Sequence, residues 1–404
     1  MLLCNDTPSC RWLLADLNEC RFLFGSTLTE KREVMRHLVR ENPLILIRAI
    51  PLLVTAALLL TLCSCSGLDQ GRADSPAPTG RVLIKGAGAT FPSLLYKQWF
   101  AAYQSNHPKM VISYDSVGSG EGIRRFIGRN VKEENKVDFG ASDAAMSDEM
   151  ISQVPGGVLL LPVTAGGVVL AYNLPDLGGE LKLSRKAYAG IFLGEIKEWS
   201  DPLIAETNPN IKLPKLTIVT VVRQDKSGTT FAFTKHLDAI SNKWRSQHGP
   251  ATLVNWPGLV MRASGNEGVA GLIQHSIGSV GYVGYEFARK LGLPMAILEN
   301  KQGNFVKPTE QSCTAALAEA ELPDNLRAFI PDPVGANSYP IVTMTWILSH
   351  KSYEDAEKAK VIQDLFRWCL EDGQNEAPKL NYVPLPPNVT TKALAALSTI
   401  TPAE

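Results

Sequence analysis

Three times after residue 81, a short apolar run of strand type stops at a turn rich in glycine and hydroxyl residues, and a helical pattern begins at once. The turns are Gly86-Ala87-Gly88-Ala89-Thr90-Phe91-Pro92, Gly118-Ser119-Gly120-Glu121-Gly122 and Arg223-Gln224-Asp225-Lys226-Ser227-Gly228-Thr229-Thr230. The apolar runs before them cover residues 82–84, 111–114 and 216–222, and helical spacing follows over 94–103, 123–127 and 231–240. Strands alternating with helices build parallel sheets covered by helices, so the pattern predicts an α/β body. With 404 residues, 45% of them hydrophobic and 20% charged, the chain can bury one large core or two ordinary ones. No internal repeat, heptad run or long low-complexity tract interrupts it.

Each turn places hydroxyls and backbone N–H groups where a helix starts, and a helix start carries unsatisfied donors and a partial positive charge. Several such ends meeting in one cleft would hold a dehydrated oxyanion without a cluster of basic side chains. Any one of them, taken alone, is better explained by ordinary N-capping. The recurrence is what points to an anion. The 40 Lys and Arg balance the 40 Asp and Glu, which excludes a global basic field for a nucleic-acid backbone and leaves any attraction to an anion local. A fourth segment, Val137-Asp138-Phe139-Gly140-Ala141-Ser142-Asp143, sets two acids and a serine after an apolar strand, which by itself suits a cap or turn.

Ahead of this body lies an address. From Met35 the chain carries Arg36, Arg40 and Arg48, then an uncharged run from Ala49 to Leu62, then Leu62-Cys63-Ser64-Cys65. The run has 14 residues, short of the ~20 that cross a bilayer, so residues 35–64 read as a secretory leader rather than a membrane span. Its end resembles the lipobox of bacterial lipoproteins, which implies that Cys65 becomes the lipidated first residue. Residues 1–34 then read as an over-long start or a leader extension. Residues 65–80, rich in Gly, Ser, Pro and Ala, read as a lipid anchor followed by a flexible tether.

The two late cysteines, Cys313 and Cys369, fall on apolar helical stripes (Cys313, Ala316, Leu317, Ala320; Ile362, Leu365, Phe366, Cys369), which favours free core thiols over a bridge. The six histidines, His37, His107, His236, His248, His275 and His350, lack close metal-ligand spacing. No Gly-x-Ser-x-Gly elbow, Walker A loop or His-Glu-x-x-His motif is present. The sequence thus predicts neither an enzyme nor a metal or cofactor protein.

In order along the chain stand GAGATFP (86–92), VDFGASDAAMSDE (137–149), GGVVLAYN (166–173), IFLGEIKEW (191–199), VVRQDKSGTTFAFT (221–234) and GSVGYVGY (278–285). With these segments the chain closely resembles the substrate-binding component of bacterial phosphate ABC importers, a type II periplasmic binding protein. The resemblance implies two α/β lobes joined by a two-crossing hinge, with the ligand in the cleft: residues 81–164 with 339–404 as one lobe, and 165–338 as the other. It implies inorganic phosphate held by Thr90 and the Phe91 backbone, Ser119, Asp143, Arg223, Ser227, Gly228 and Thr229, with Gly120 and Asp225 in support. It further implies a monomer outside the inner membrane, in the periplasm or at the cell surface, that delivers phosphate to a permease and ATPase complex, with no nucleic acid involved.

The residue types suit those tasks. Hydroxyls and amides donate to phosphate oxygens, Arg223 supplies the strong charge, and Asp225 orients it. A carboxylate at Asp143 can only accept, so it demands a ligand that still carries a proton. Sulfate has none near neutral pH, and such a buried mismatch is worth about 10⁴ in selectivity. The second turn departs from the family's usual Gly-Ser-Ser-Gly-Gly, losing a hydroxyl and bringing in Glu121. The same fold would also serve as a sensor of an oxyanion or phosphoryl compound. A phosphatase-like enzyme is the reading from another class.

Overall fold

The computed structural model describes residues 80–402; the expected leader, Cys65 and the tether up to residue 79 lie outside them. Among the described residues no helix is long and apolar enough to cross a membrane. Eight strands form the main sheet: β1 (Val82–Gly88), β2 (Met110–Ser116), β3 (Phe139–Ser142), β4 (Val158–Tyr172), β5 (Val219–Arg223), β6 (Val260–Ala263), β7 (Ser279–Gly284) and β8 (Val342–His350). Their spatial order is β2-β1-β3-β8-β4-β7-β5-β6.

The expected parallel sheet holds only for the outer strands. β1 runs parallel to β2 and β3, and β5 runs parallel to β6 and β7. The central pair breaks the pattern: β8 is antiparallel to both β3 and β4, and β4 is antiparallel to β7. The reason lies in connectivity. β4 pairs with β8 through Gly167 and with β7 from Val168 onward, so this single strand carries the chain from the first half of the sheet into the second. All 15 of its residues are buried, the composition expected of a strand covered on both faces.

These directions fix where a site can form. β1, β2 and β3 run the same way as β4, toward the second half, while β7, β5 and β6 run against β4, toward the first half. The carboxyl ends of both parallel blocks therefore face each other. Ser142, at the end of β3, lies across Trp346 from Pro162, whereas Gly284, at the end of β7, pairs with Val168. The six-residue step between them spans about 20 Å of β4.

Helices α1 (Ser93–Asn106), α2 (Ser119–Ile127), α3 (Gly228–Ile240), α4 (Gly265–His275), α5 (Glu310–Leu317) and α6 (Ala356–Leu370) accompany the sheet. α1 buries Leu95, Tyr96, Trp99, Phe100 and Tyr103, one stripe at helical spacing, and Trp99 Nε1 donates to the Gly373 carbonyl at 2.7 Å. Cys313 on α5 and Cys369 on α6 are both buried and free.

His236 on α3 is buried between Pro331, whose carbonyl lies 2.6 Å from Nδ1, and Tyr188, whose hydroxyl lies 2.8 Å from Nε2. A carbonyl only accepts, so Nδ1 carries the proton and Nε2 accepts from tyrosine. Burial pushes the imidazole down to about 4. The folded value lies below the unfolded one, so the unfolded chain takes up the extra proton between about pH 6.5 and 4, and stability is lost as pH falls through that window. Denaturant titrations at pH 4 and 7 should give His236→Gln a pH slope shallower than wild type by about 3 kcal/mol; parallel slopes would refute the assignment.

Candidate anion site

In open α/β sheets ligands sit beyond the carboxyl ends of the strands, and here those ends bring together every residue singled out within the body. Thr90 and Phe91 follow β1, Ser119 follows β2, Asp143 follows β3, and Arg223 closes β5 just ahead of Ser227, Gly228 and Thr229. Thr90, Ser119, Asp143, Arg223, Ser227 and Thr229 are all buried. Gly88 makes the first turn feasible: its φ is +150°, and a Cβ there would stand 2.0 Å from the Ala141 carbonyl oxygen.

The loops from opposite halves touch. Ser119 Oγ accepts from the N–H of Gly228 at 3.0 Å and from that of Asp143 at 3.3 Å. The Gly120 N–H donates to the Lys226 carbonyl at 2.9 Å. A Cβ on Gly228 would lie 2.6 Å from both Ser119 Oγ and Asp143 Cβ, so only glycine lets the start of α3 come this close. Ser227 caps that helix, its hydroxyl accepting from the Thr230 N–H at 3.1 Å. The cap uses a lone pair and leaves the O–H free to donate. The Phe91 carbonyl accepts from the Tyr382 hydroxyl at 2.6 Å, which anchors the first turn to the far end of the chain.

Arg223 supplies the charge. It is 1% exposed, and Asp225 grips it with two hydrogen bonds, Nε to Oδ1 at 2.8 Å and a second from Nη2 to Oδ2. Burial works against ionisation of Asp225, but the Arg223 hydrogen bonds and charge, with the Gly265 N–H, hold its carboxyl below the ordinary value. Nη1 of Arg223 is buried and has no hydrogen-bond partner among the described residues. A charged donor left this way costs more than the ~1–3 kcal/mol of a neutral one.

Asp143 faces the opposite demand. Burial pushes its carboxyl up to about 7, against the pull of the Thr345 hydroxyl, the Arg223 charge and the Thr229 hydroxyl. Thr345 Oγ1 donates to Oδ1 at 2.8 Å, and Thr229 Oγ1 lies 3.4 Å from Oδ2. The acid is thus divided between its two protonation states near neutrality, suited to share a proton with a ligand oxygen.

Glu121 does not oppose an anion here. Hydrogen bonds from Arg124 at 2.7 Å and Arg125 at 2.9 Å hold its carboxylate, and the Arg124 contact leads in lowering it to about 2. Its negative charge is spent on the first turns of α2.

Two residues of the site escaped the sequence reading. Thr345 sits inside a strand, where nothing marks it. Asn266 follows β6 in the turn Ser264-Gly265-Asn266, built like the other three; its side chain donates to Thr90 Oγ1 at 2.9 Å and to Thr229 Oγ1 at 3.2 Å. The strand-turn-helix signal that found the others would have found it.

The folded value of Asp143 stands above its unfolded one, so the folded protein retains a proton that the unfolded chain releases between about pH 4 and 7. Stability from this residue is present below that window and lost as pH rises through it. In phosphate-free buffer, the advantage of Asp143→Asn over wild type in denaturant titrations should grow by roughly 2–4 kcal/mol from pH 4 to pH 8. A constant difference would overturn the assignment.

The profile of the PBP superfamily domain matches residues 73–372. The phosphate-binding protein PstS of Pasteurella multocida (strain Pm70) is 39% identical over 319 residues, covering 78% of this chain and 90% of that protein. PstS of Haemophilus influenzae (strain ATCC 51907 / DSM 11121 / KW20 / Rd) is 38% identical over 311 residues, with 76% and 90% covered. Among solved structures, a high affinity periplasmic phosphate-binding protein (PfluDING) bound with phosphate shares the fold at a TM-score of 0.64 and 21% identity, over 78% of this chain and 93% of that one. The fold is that of a type II periplasmic binding protein, two α/β lobes about a cleft, and the chain belongs to the PBP superfamily, within the family of the PstS phosphate-binding proteins.

Proposed function

We propose that the protein captures inorganic phosphate between the opposed strand ends and passes it to an ABC importer without chemical change. One observation carries this reading: a buried guanidinium with an unpartnered N–H group, Arg223, shares a site with a buried carboxyl raised to about 7, Asp143. The first calls for an anion, and the second calls for a proton on it. Inorganic phosphate meets both demands near neutral pH. Thr90, the Phe91 backbone, Ser119, Arg223, Ser227, Gly228 and Thr229 act as donors, Asp143 shares the ligand proton, and Gly120 and Asp225 support the loops. The names and high coverage of the PstS relatives favour the same ligand.

In this reading residues 81–164 with 339–404 move as one lobe and 165–338 as the other, hinged where the chain crosses between them. Residues 35–64 direct export, lipidated Cys65 anchors the chain, and residues 66–80 tether a monomer in the periplasm or at the cell surface. A permease and ATPase complex receives the ligand there.

Calorimetric titration of purified, phosphate-stripped protein should give one tight phosphate site, unchanged by excess sulfate. Asp143→Asn should narrow the phosphate-over-sulfate preference by at least about a hundredfold. Because Glu121 is held by two arginines, Glu121→Gln should keep phosphate affinity within about threefold of wild type. A folded wild-type protein that takes up no phosphate would refute the proposal.

A further inference from the structure

Asn266 lies in the first turn of α4, is 1% exposed, and gives both its amide hydrogens and its backbone N–H to the site loops. Its backbone N–H and its Nδ2 both donate to Thr90 Oγ1, at 3.1 and 2.9 Å. Nδ2 also donates to Thr229 Oγ1 at 3.2 Å, and Oδ1 accepts from the Gly284 N–H at 3.0 Å. The Gly284 contact settles the amide's orientation, because a backbone N–H must face the oxygen of the amide and not its NH₂ group.

A hydroxyl offers two lone pairs and one hydrogen. Both lone pairs of Thr90 Oγ1 are taken by Asn266, so this hydroxyl can only donate. Thr229 Oγ1 has one lone pair taken from the same amide, and its hydrogen has only the long 3.4 Å contact with Asp143 to give up. Ser119 Oγ is loaded likewise by the N–H groups of Gly228 and Asp143, but there the backbone does it. At Thr229 the Asn266 side chain does it, and at Thr90 that side chain shares the task with the Asn266 backbone N–H.

We propose that Asn266 is a positioning residue that fixes the Thr90 hydroxyl as a donor to the bound oxyanion, biases the Thr229 hydroxyl the same way, and leaves the ligand's proton to Asp143. The inference rests on the phosphate reading and adds a specificity device to it. With the lone pair that faces Nδ2 released, Thr90 could accept a proton from a phosphate oxygen, and the site would tolerate the more protonated monoanion. Asn266 therefore biases the site toward the less protonated ligand.

The test is phosphate calorimetry on the full chain at pH 5.5 and 8.5 for wild type, Asn266→Asp and Asn266→Ala, with melting temperatures recorded for each. The aspartate is isosteric but, once ionised, cannot donate, so its loss of affinity relative to wild type should exceed about a hundredfold at pH 8.5 and shrink at least about tenfold at pH 5.5. The alanine should show the same trend through the freed Thr90, and the trend should vanish when Thr90→Val is added. A loss by the same factor at both pH values, in whichever variant folds, would mean that Asn266 only braces the loops, and the proposal would fall. Wild type without phosphate affinity would overturn the phosphate reading itself and this inference with it.

Discussion

Everything in the site depends on the direction of two buried strands. β4 leaves the first half of the sheet and enters the second, β8 lies antiparallel beside it, and each half keeps its own block of parallel strands. Because the blocks point at each other, the turns that follow their strands meet over the middle of β4. A sheet with every strand parallel would have put all those turns along one edge, and Ser119 could not have reached Gly228. The two blocks even share a spatial order, β2-β1-β3 and β6-β5-β7, although their sequences carry no repeat.

Local arrangement, rather than net charge, gives this neutral chain its anion site. The one buried guanidinium among the described residues is held in orientation by Asp225, which leaves one nitrogen without a partner among them. Around it stand hydroxyls, of which Thr90 and Ser119 have both lone pairs filled from behind. Asp143, whose carboxyl meets the Thr345 and Thr229 hydroxyls, is pushed up to about 7 by burial. Glu121, the acid that might have spoiled the arrangement, is turned onto Arg124 and Arg125. Balanced composition and a strong local anion preference are therefore compatible.

Much of this was legible in the residues. Strand-turn-helix punctuation located the loops at Thr90, Ser119 and Ser227 because glycine, hydroxyl and proline preferences there are local chemistry. The buried helical faces of Cys313 and Cys369 followed from spacing, except that α5 ends at Leu317 and leaves Ala320 outside it, half-buried. The apolar runs 158–163 and 341–348 suit strands that cross between two lobes, but nothing in the sequence says that they pair side by side and antiparallel, as β4 and β8 do. Thr345 owes its role to such pairing alone, since it reaches Asp143 from the neighbouring strand, β8. Asn266 differs, because its turn has the same local signature as the others, and what it lacked was a companion motif to draw attention to it. The harmlessness of Glu121 depended on rotamers that spacing alone does not fix.

The contacts that close the loops also set a clock. Ser119 to Gly228, Gly120 to Lys226 and Thr90 to Asn266 are direct hydrogen bonds between the two halves, so, on the proposed reading, phosphate enclosed there would leave only after they separate. Escape is then paced by how often the halves part rather than by how firmly any one donor grips the ligand. A receiver that pulls the halves apart would shorten residence time without competing for a single ligand contact, which lets tight capture and rapid discharge coexist in one molecule.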